Sequence, residues 1–226
     1  VLDAIRDIMD RDHMGYTDAF GVPPLRARIA QYYRDQYDVD VAADHVVVTT
    51  GSSGAFVLSF LAAFDVGDRV ALASPGYPAY RNILTALGIE VVDIPATEET
   101  NFQPTTAVLS AALKNIGGKL DGLIVASPSN PTGTMLLPDE LRELVAFCDA
   151  EGIRFISDEI YHGITYERPA DTALAYSRNA IIINSFSKYF SMTGWRLGWM
   201  VLPDDLLRTV ECLGQNLFIS PPTVSQ

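Results

Sequence analysis

Short apolar runs of β character alternate with helical patterns along the chain, and that alternation leaves few folds open. The runs lie at 46–50, 69–73, 90–93, 123–126, 154–157, 180–184 and 197–201. Helical patterns fall at 56–64, 79–87, 105–115 and 139–150, after an earlier one opened by Pro23-Pro24 that carries Leu25, Ile29 and Tyr33. Proline suits a first helical turn, where its missing N–H leaves nothing unpaired. Strands separated by helices pair in parallel, and strands covered on both faces read as unbroken apolar runs. The expected fold is therefore α/β, a three-layer α/β/α arrangement around a mostly parallel seven-stranded sheet. The run at 197–201 follows its predecessor after only about a dozen residues, short for a crossover helix, and is expected as the one antiparallel strand.

A chain of 226 residues buries a real core, as one large domain or two small ones. With 28 acidic against 16 basic residues the net charge is -12, which argues against a nucleic-acid partner. Any anion bound here needs local donors against that background. Cys148 and Cys212 lie in helical patterns, imply no disulfide framework and read as small core residues. No stretch has the form of a membrane span or a signal peptide, so a cytoplasmic protein without a membrane partner is expected.

In open α/β sheets ligands bind beyond the carboxyl ends of the strands, and the chemistry-bearing residues collect there. Gly51-Ser52-Ser53-Gly54 follows the first strand and precedes an apolar helix, a plausible phosphate cradle that is neither the dinucleotide pattern nor a P-loop. Tyr77, between Gly76 and Pro78, is placed to stack on a flat ring or to act as an apolar lid. Asn130 is held between prolines, and its amide can donate to a ring oxygen. Asp158 directly follows a core strand, so its carboxylate needs a cationic or N–H partner. Tyr161 shares its side if the chain turns helical. Glu159 and His162 read as supports or solvent-facing groups, and with no second histidine well placed no metal site is expected.

Beyond the sixth strand lie Ser185, Ser187 and Lys188, then Arg196 between glycines. Hydroxyls and a guanidinium suit a phosphate. The chain has three lysines; Lys114 and Lys119 flank a solvated turn, while Lys188 adjoins a strand that reads as buried, where an amine is costly unless paired, bonded or deprotonated. Lysine also forms imines with carbonyls. Phosphate cradle, arginine, stacking aromatic, donors for a phenolic oxygen, carboxylate for a pyridine nitrogen and imine-forming lysine together match one cofactor, pyridoxal 5'-phosphate.

These motifs resemble the class I/II pyridoxal-phosphate-dependent aminotransferases of fold type I, the family of aspartate and aromatic aminotransferases. The resemblance rests on Gly15-Tyr16 with Gly21 and Leu25-Arg26, Thr50-Gly51-Ser52, Pro75-Gly76-Tyr77-Pro78, Asn130-Pro131-Thr132-Gly133, Asp158-Glu159-Ile160-Tyr161, Ser185-Phe186-Ser187-Lys188 and Gly194-Trp195-Arg196-Leu197-Gly198, in that order. It implies that Lys188 is the Schiff-base lysine and general base. It also implies that Asp158 pairs with the pyridine nitrogen, its own pKa lowered by that cation. Tyr161 and Asn130 would then bond the ring oxygen, and Tyr77 would stack on the ring. Ser52, Ser53, Gly54, Ser185 and Arg196 would form the phosphate shell, with Ser187 supporting it. It further implies a homodimer in which Tyr16 reaches the neighbouring subunit's cofactor, and transfer of an amino group between an L-amino acid and a 2-oxo acid. The same residues also serve β-lyases acting on carbon–sulfur bonds, and a non-catalytic cofactor-sensing domain is a third reading. Residues 1–20 are expected as an N-terminal segment suited to an interface and 21–226 as a truncated cofactor-binding large domain. The family's C-terminal small domain, and with it the arginine that grips the substrate's α-carboxylate, has no counterpart in these residues.

Overall fold

The computed structural model describes residues 2–11 and 14–226; residues 1, 12 and 13 of the expected N-terminal segment lie outside the described residues. Helix α1 (Leu2–Arg11) is followed by α2 (Pro23–Tyr37), then β1 (Val46–Thr49), α3 (Gly51–Ala63), β2 (Arg69–Ser74), α4 (Pro78–Ala86), β3 (Glu90–Pro95) and α5 (Thr106–Ile116). The chain continues through β4 (Gly122–Ala126), α6 (Pro138–Glu151), β5 (Arg154–Asp158), β6 (Ile181–Ser185), β7 (Gly198–Val201) and α7 (Asp204–Leu217).

Local chemistry sets several of these bounds. Pro23, Pro78 and Pro138 open α2, α4 and α6 from the first helical turn. The Thr105 hydroxyl accepts the Val108 N–H at 3.3 Å and starts α5. Gly117 and Gly152, at φ +60° and +68°, end α5 and α6 in the left-handed conformation that glycine adopts without penalty. Asp204 and Asp205 occupy the first turn of α7, where negative charge suits the helix dipole.

The seven strands form one sheet in the order β1-β7-β6-β5-β4-β2-β3. Every neighbouring pair is parallel except those made by β7, which runs antiparallel to both β1 and β6. The short connection before β7 carries this out, as the sequence predicts. Alternate strand residues feed two cores. Val48, Leu123, Phe155 and Ile182 face a layer that includes Ile29, Tyr33, Leu109 and Leu144 of α2, α5 and α6. Val47, Ile124, Ile156 and Ile183 face Phe60, Leu84 and Val210 of α3, α4 and α7. Each such side chain contributes about 1.5–3 kcal/mol by leaving water. Among the described residues no helix is long and apolar enough to cross a membrane.

One element differs from expectation. Helix α3 begins at Gly51, not at Phe56, so the Gly-Ser-Ser-Gly stretch is its first turn rather than a separate turn before it. Gly51, at φ +73°, bends the chain sharply out of β1, and the helix starts at once.

Candidate active site

The carboxyl ends of β4, β5 and β6 and the start of α3 enclose a cavity of about 180 Å³. One wall is built for an anion. Ser52 and Ser53 line it from the first turn of α3, where backbone N–H groups lack intrahelical partners and the helix dipole is positive. Arg196 lies across that turn. It sits at φ +51°, its Nη1 donates to the Thr193 carbonyl at 2.9 Å, and a Cβ on Gly51 would fall 2.8 Å from its Nη2. A side chain at position 51 would push the guanidinium away, and the φ of +73° favours glycine there in any case. Ser187 also lines the cavity, while Ser185 is buried behind it. Ser185 Oγ lies 2.8 Å from Ser187 Oγ and accepts the Ser187 N–H at 3.0 Å. Ser187 thus faces the cavity, with Ser185 hydrogen-bonded directly behind it. Gly54 is buried within α3 and off the cavity wall.

The opposite end is a buried carboxylate. Asp158, the last residue of β5, is 4% exposed yet lines the cavity. Its Oδ1 accepts the Ile160 N–H at 3.1 Å and its Oδ2 accepts the Tyr80 hydroxyl. Burial pushes its pKa up to about 6, while Tyr80, the Ile160 N–H and the Lys188 charge pull it down. The lowering expected from the sequence presupposes a cation on the carboxylate; the protein's own groups only partly offset the burial.

Lys188 stands between the two ends, and here the structure corrects the burial argument. Its side chain is exposed, with Nζ 5.9 Å from the centre of the Tyr161 ring. The chain leaves the sheet at Ser185, and Phe186 stays packed on Trp199 at 4.9 Å while Lys188 turns outward. Tyr161 and Asn130 come together, the Asn130 amide donating to the Tyr161 hydroxyl at 3.4 Å. Tyr77 lines the cavity half open to water, its ring edge-on to Tyr80 at 5.3 Å. Tyr16 is 82% exposed and is not on the cavity wall.

Glu159 and His162 are both buried supports, not solvent-facing groups. Glu159 Oε1 accepts from Ser157, Thr172 and the Ala173 N–H, clasping the segment after β5. His162 accepts the Tyr37 hydroxyl at Nδ1 and donates from Nε2 to the Ser127 carbonyl, and burial lowers its pKa to about 4. Glu159 Oε2 has no hydrogen-bond partner, and burial raises the carboxyl pKa from 4.5 to about 8. Because the folded protein holds this proton more tightly than the unfolded chain, this group's contribution to stability falls as pH rises between about 4.5 and about 8. Glu159→Gln keeps the accepting oxygen and removes the titration. Its stability relative to wild type, measured by denaturant unfolding, is expected to improve steadily from about pH 5 to about pH 8.

Four cavity residues escaped the sequence reading: Phe56, Tyr80, Ile160 and Thr193. Tyr80 had a usable signal, since it lies three residues after Tyr77 in a helix opened by Pro78 and so shares its face. Among the described residues no cluster of three or more His, Cys, Asp or Glu could hold a metal.

The donor set matches a phosphorylated pyridine aldehyde from end to end: a helix terminus and guanidinium for the phosphate, an amine for the carbonyl, and a buried carboxylate for a ring nitrogen. With this sheet order the site defines a fold-type I large domain whose cofactor is pyridoxal 5'-phosphate. The chain belongs to the family described as "Aminotransferase class I and II", whose sequence model matches residues 1–226. It is 54% identical over 217 residues to a valine–pyruvate aminotransferase of Mycobacterium tuberculosis, covering 95% of this chain and 55% of that protein. It is 37% identical to a (5-formylfuran-3-yl)methyl phosphate transaminase of Methanocaldococcus jannaschii, covering 93% and 54%. The fold superposes on the crystal structure of an aminotransferase from Mycobacterium tuberculosis with TM-score 0.95 and 51% identity, over 100% of this chain and 61% of that one. Aspartate aminotransferase from Thermus thermophilus with maleate gives TM-score 0.93 at 27% identity, over 100% and 58%. The chain thus spans little more than half the length of the curated relatives it matches.

Proposed function

We propose that the protein transfers an amino group between an L-amino acid and a 2-oxo acid. The observation that carries this reading is the shared cavity of Lys188, Asp158 and the N-terminus of α3. Pyridoxal 5'-phosphate, when bound, supplies an electron sink for bonds at the substrate's Cα. Arg196, Ser187 and the free N–H groups of α3 would hold its phosphate, so that orientation comes from binding remote from the reacting atoms. The Asn130 amide and the Tyr161 hydroxyl would hold its phenolic oxygen, Tyr77 would cover its ring, and Asp158 would hold its ring nitrogen. The Lys188 amine would bind the carbonyl carbon and, once freed, move the proton at the substrate's Cα. Its exposure on the cavity wall suits both roles.

The reading takes residues 21–226 as the cofactor domain and the exposed Tyr16 within residues 1–20 as the group offered to a second copy in a homodimer. The cytoplasm, where amino acids and 2-oxo acids meet, is its compartment. The name of the Mycobacterium tuberculosis relative makes L-valine and pyruvate the first pair to test. The full-length protein given both is expected to form alanine and the 2-oxo acid of valine in equal amounts without ammonia. Given L-cysteine, it is expected to release no sulfide. Sulfide and ammonia in place of paired products would favour the lyase reading, and neither activity would favour a sensor.

A further inference from the structure

We propose that Tyr80 is a positioning residue whose hydroxyl holds the Asp158 carboxylate towards the cavity and thereby decides where the proton shared with the cofactor's ring nitrogen resides. The inference rests on the cofactor reading above. Tyr80 lies on α4, is buried, and packs its ring against Phe56 at 5.0 Å and Tyr77 at 5.3 Å. Its single hydroxyl proton goes to Asp158 Oδ2, while the Ile160 N–H takes Oδ1 at 3.1 Å. Two donors from different elements, one of them locked by ring packing, fix the plane of the carboxylate. Neither is a cation. They stabilise the negative charge without competing for the place of a protonated ring nitrogen.

Tyr80 acts here as a donor and not as an acid, since burial and the adjacent carboxylate raise its pKa well above that of a free phenol. The titratable groups facing Asp158 are Tyr77 just before α4 and Tyr80 on it, Tyr161 and the adjacent Glu159 after β5, and Lys188 after β6. Arg196 adds positive charge to the same cavity, and the residues of α3 that line it are uncharged. Without the Tyr80 hydroxyl, only the Ile160 N–H and the Lys188 charge oppose the burial of Asp158. The carboxylate then becomes the stronger base and draws the shared proton off the ring nitrogen. A hydrogen bond to a charged group is strong enough to move that equilibrium about tenfold.

The test loads the full-length protein with pyridoxal 5'-phosphate carrying ¹⁵N at the ring nitrogen and reads its NMR resonance at neutral pH. In wild type the resonance is expected between the two limits, nearer the protonated position. Tyr80→Phe keeps the ring packing and is expected to move the resonance towards the unprotonated position, by about a tenfold change in proton sharing. Replacing Tyr80 with 3-fluorotyrosine, a stronger donor of nearly the same shape, is expected to move the proton the opposite way. This second variant decides the matter if Tyr80→Phe does not fold. A wild-type protein that holds no cofactor overturns the cofactor reading and this inference with it. A wild-type resonance that neither substitution moves overturns the inference alone.

Discussion

Replacing Lys188 with alanine is expected to remove the chemistry and leave the fold standing. The side chain is exposed, and its contacts are a 5.9 Å approach to the Tyr161 ring and an electrostatic pull on Asp158. Truncating a surface side chain of this kind is expected to move Tm by no more than about 2 °C. Function is another matter. The same amine is assigned two tasks, bonding the cofactor's carbonyl and moving the substrate's Cα proton, and a positioned acid–base group alone accounts for about 10²–10⁴ in rate. A loss of at least about 10⁴ in turnover is therefore expected. The measurement pairs a thermal melt with the visible absorption of the cofactor-loaded protein before and after amino acid. If the variant keeps the wild-type absorption band, Lys188 is not the covalent anchor. If it keeps turnover, it is not the base.

The sheet was legible because most strands are apolar runs and most are spaced by helices; β3 sets Val91 and Val92 between Glu90 and Asp93, and β5 reaches β6 with no α-helix between them. Even the reversal of β7 could be read, from a connection too short to cross over. What escaped depends on pairs far apart in sequence. Tyr80 and Asp158 are 78 residues apart and meet only once the order β5-β4-β2 brings α4 over the end of β5. In the sequence the spacing from Tyr77 puts Tyr80 on the same helix face, but nothing local shows that its hydroxyl meets Asp158. The early start of α3 was hidden for a related reason. Two glycines and two serines carry weak helix propensity, so their helical state comes from packing against β7 and Arg196 rather than from local preference. The exposure of Lys188 was not legible because adjacency to a buried strand says nothing about direction once the strand has ended. Ser185 and Ser187 differ by two residues, which along a strand would place them on one side. The chain bends after Ser185, the terminal residue of β6, and turns Ser187 to the cavity while Ser185 stays beneath it.

Glycine at position 198 is where fold and site depend on the same few atoms, and Gly198→Ala is expected to damage both. Gly198 opens β7 and pairs with Thr49 on one side and Ser185 on the other. A Cβ there would fall 2.8 Å from Gly51 C, 2.8 Å from Ser52 N and 2.9 Å from Asn184 O. All three are backbone atoms, in the first turn of α3 and in the neighbouring strand β6, so no flexible side chain can swing away. Relief requires α3 to lift off β7. Overpacking of this kind costs about 3 kcal/mol, a fall in Tm of about 6–12 °C for a chain of this size. The lifted turn is also the one that carries Ser52 and Ser53 beside Arg196, so the anion end of the cavity opens with it. A displacement near 1 Å can cost about 100-fold where binding geometry is exacting, and cofactor affinity is expected to fall in that range. Gly194, four residues earlier, provides the contrast: a Cβ there meets nothing within 4 Å. Gly194→Ala is expected to be neutral or stabilising by up to about 1 kcal/mol, through the loss of unfolded-state freedom. Thermal melts and cofactor titrations of the two variants side by side separate the effect of adding a methyl group from the effect of where it is added. A Gly198→Ala protein that melts with wild type would mean that the close approach of α3 to β7 does not hold the anion end together.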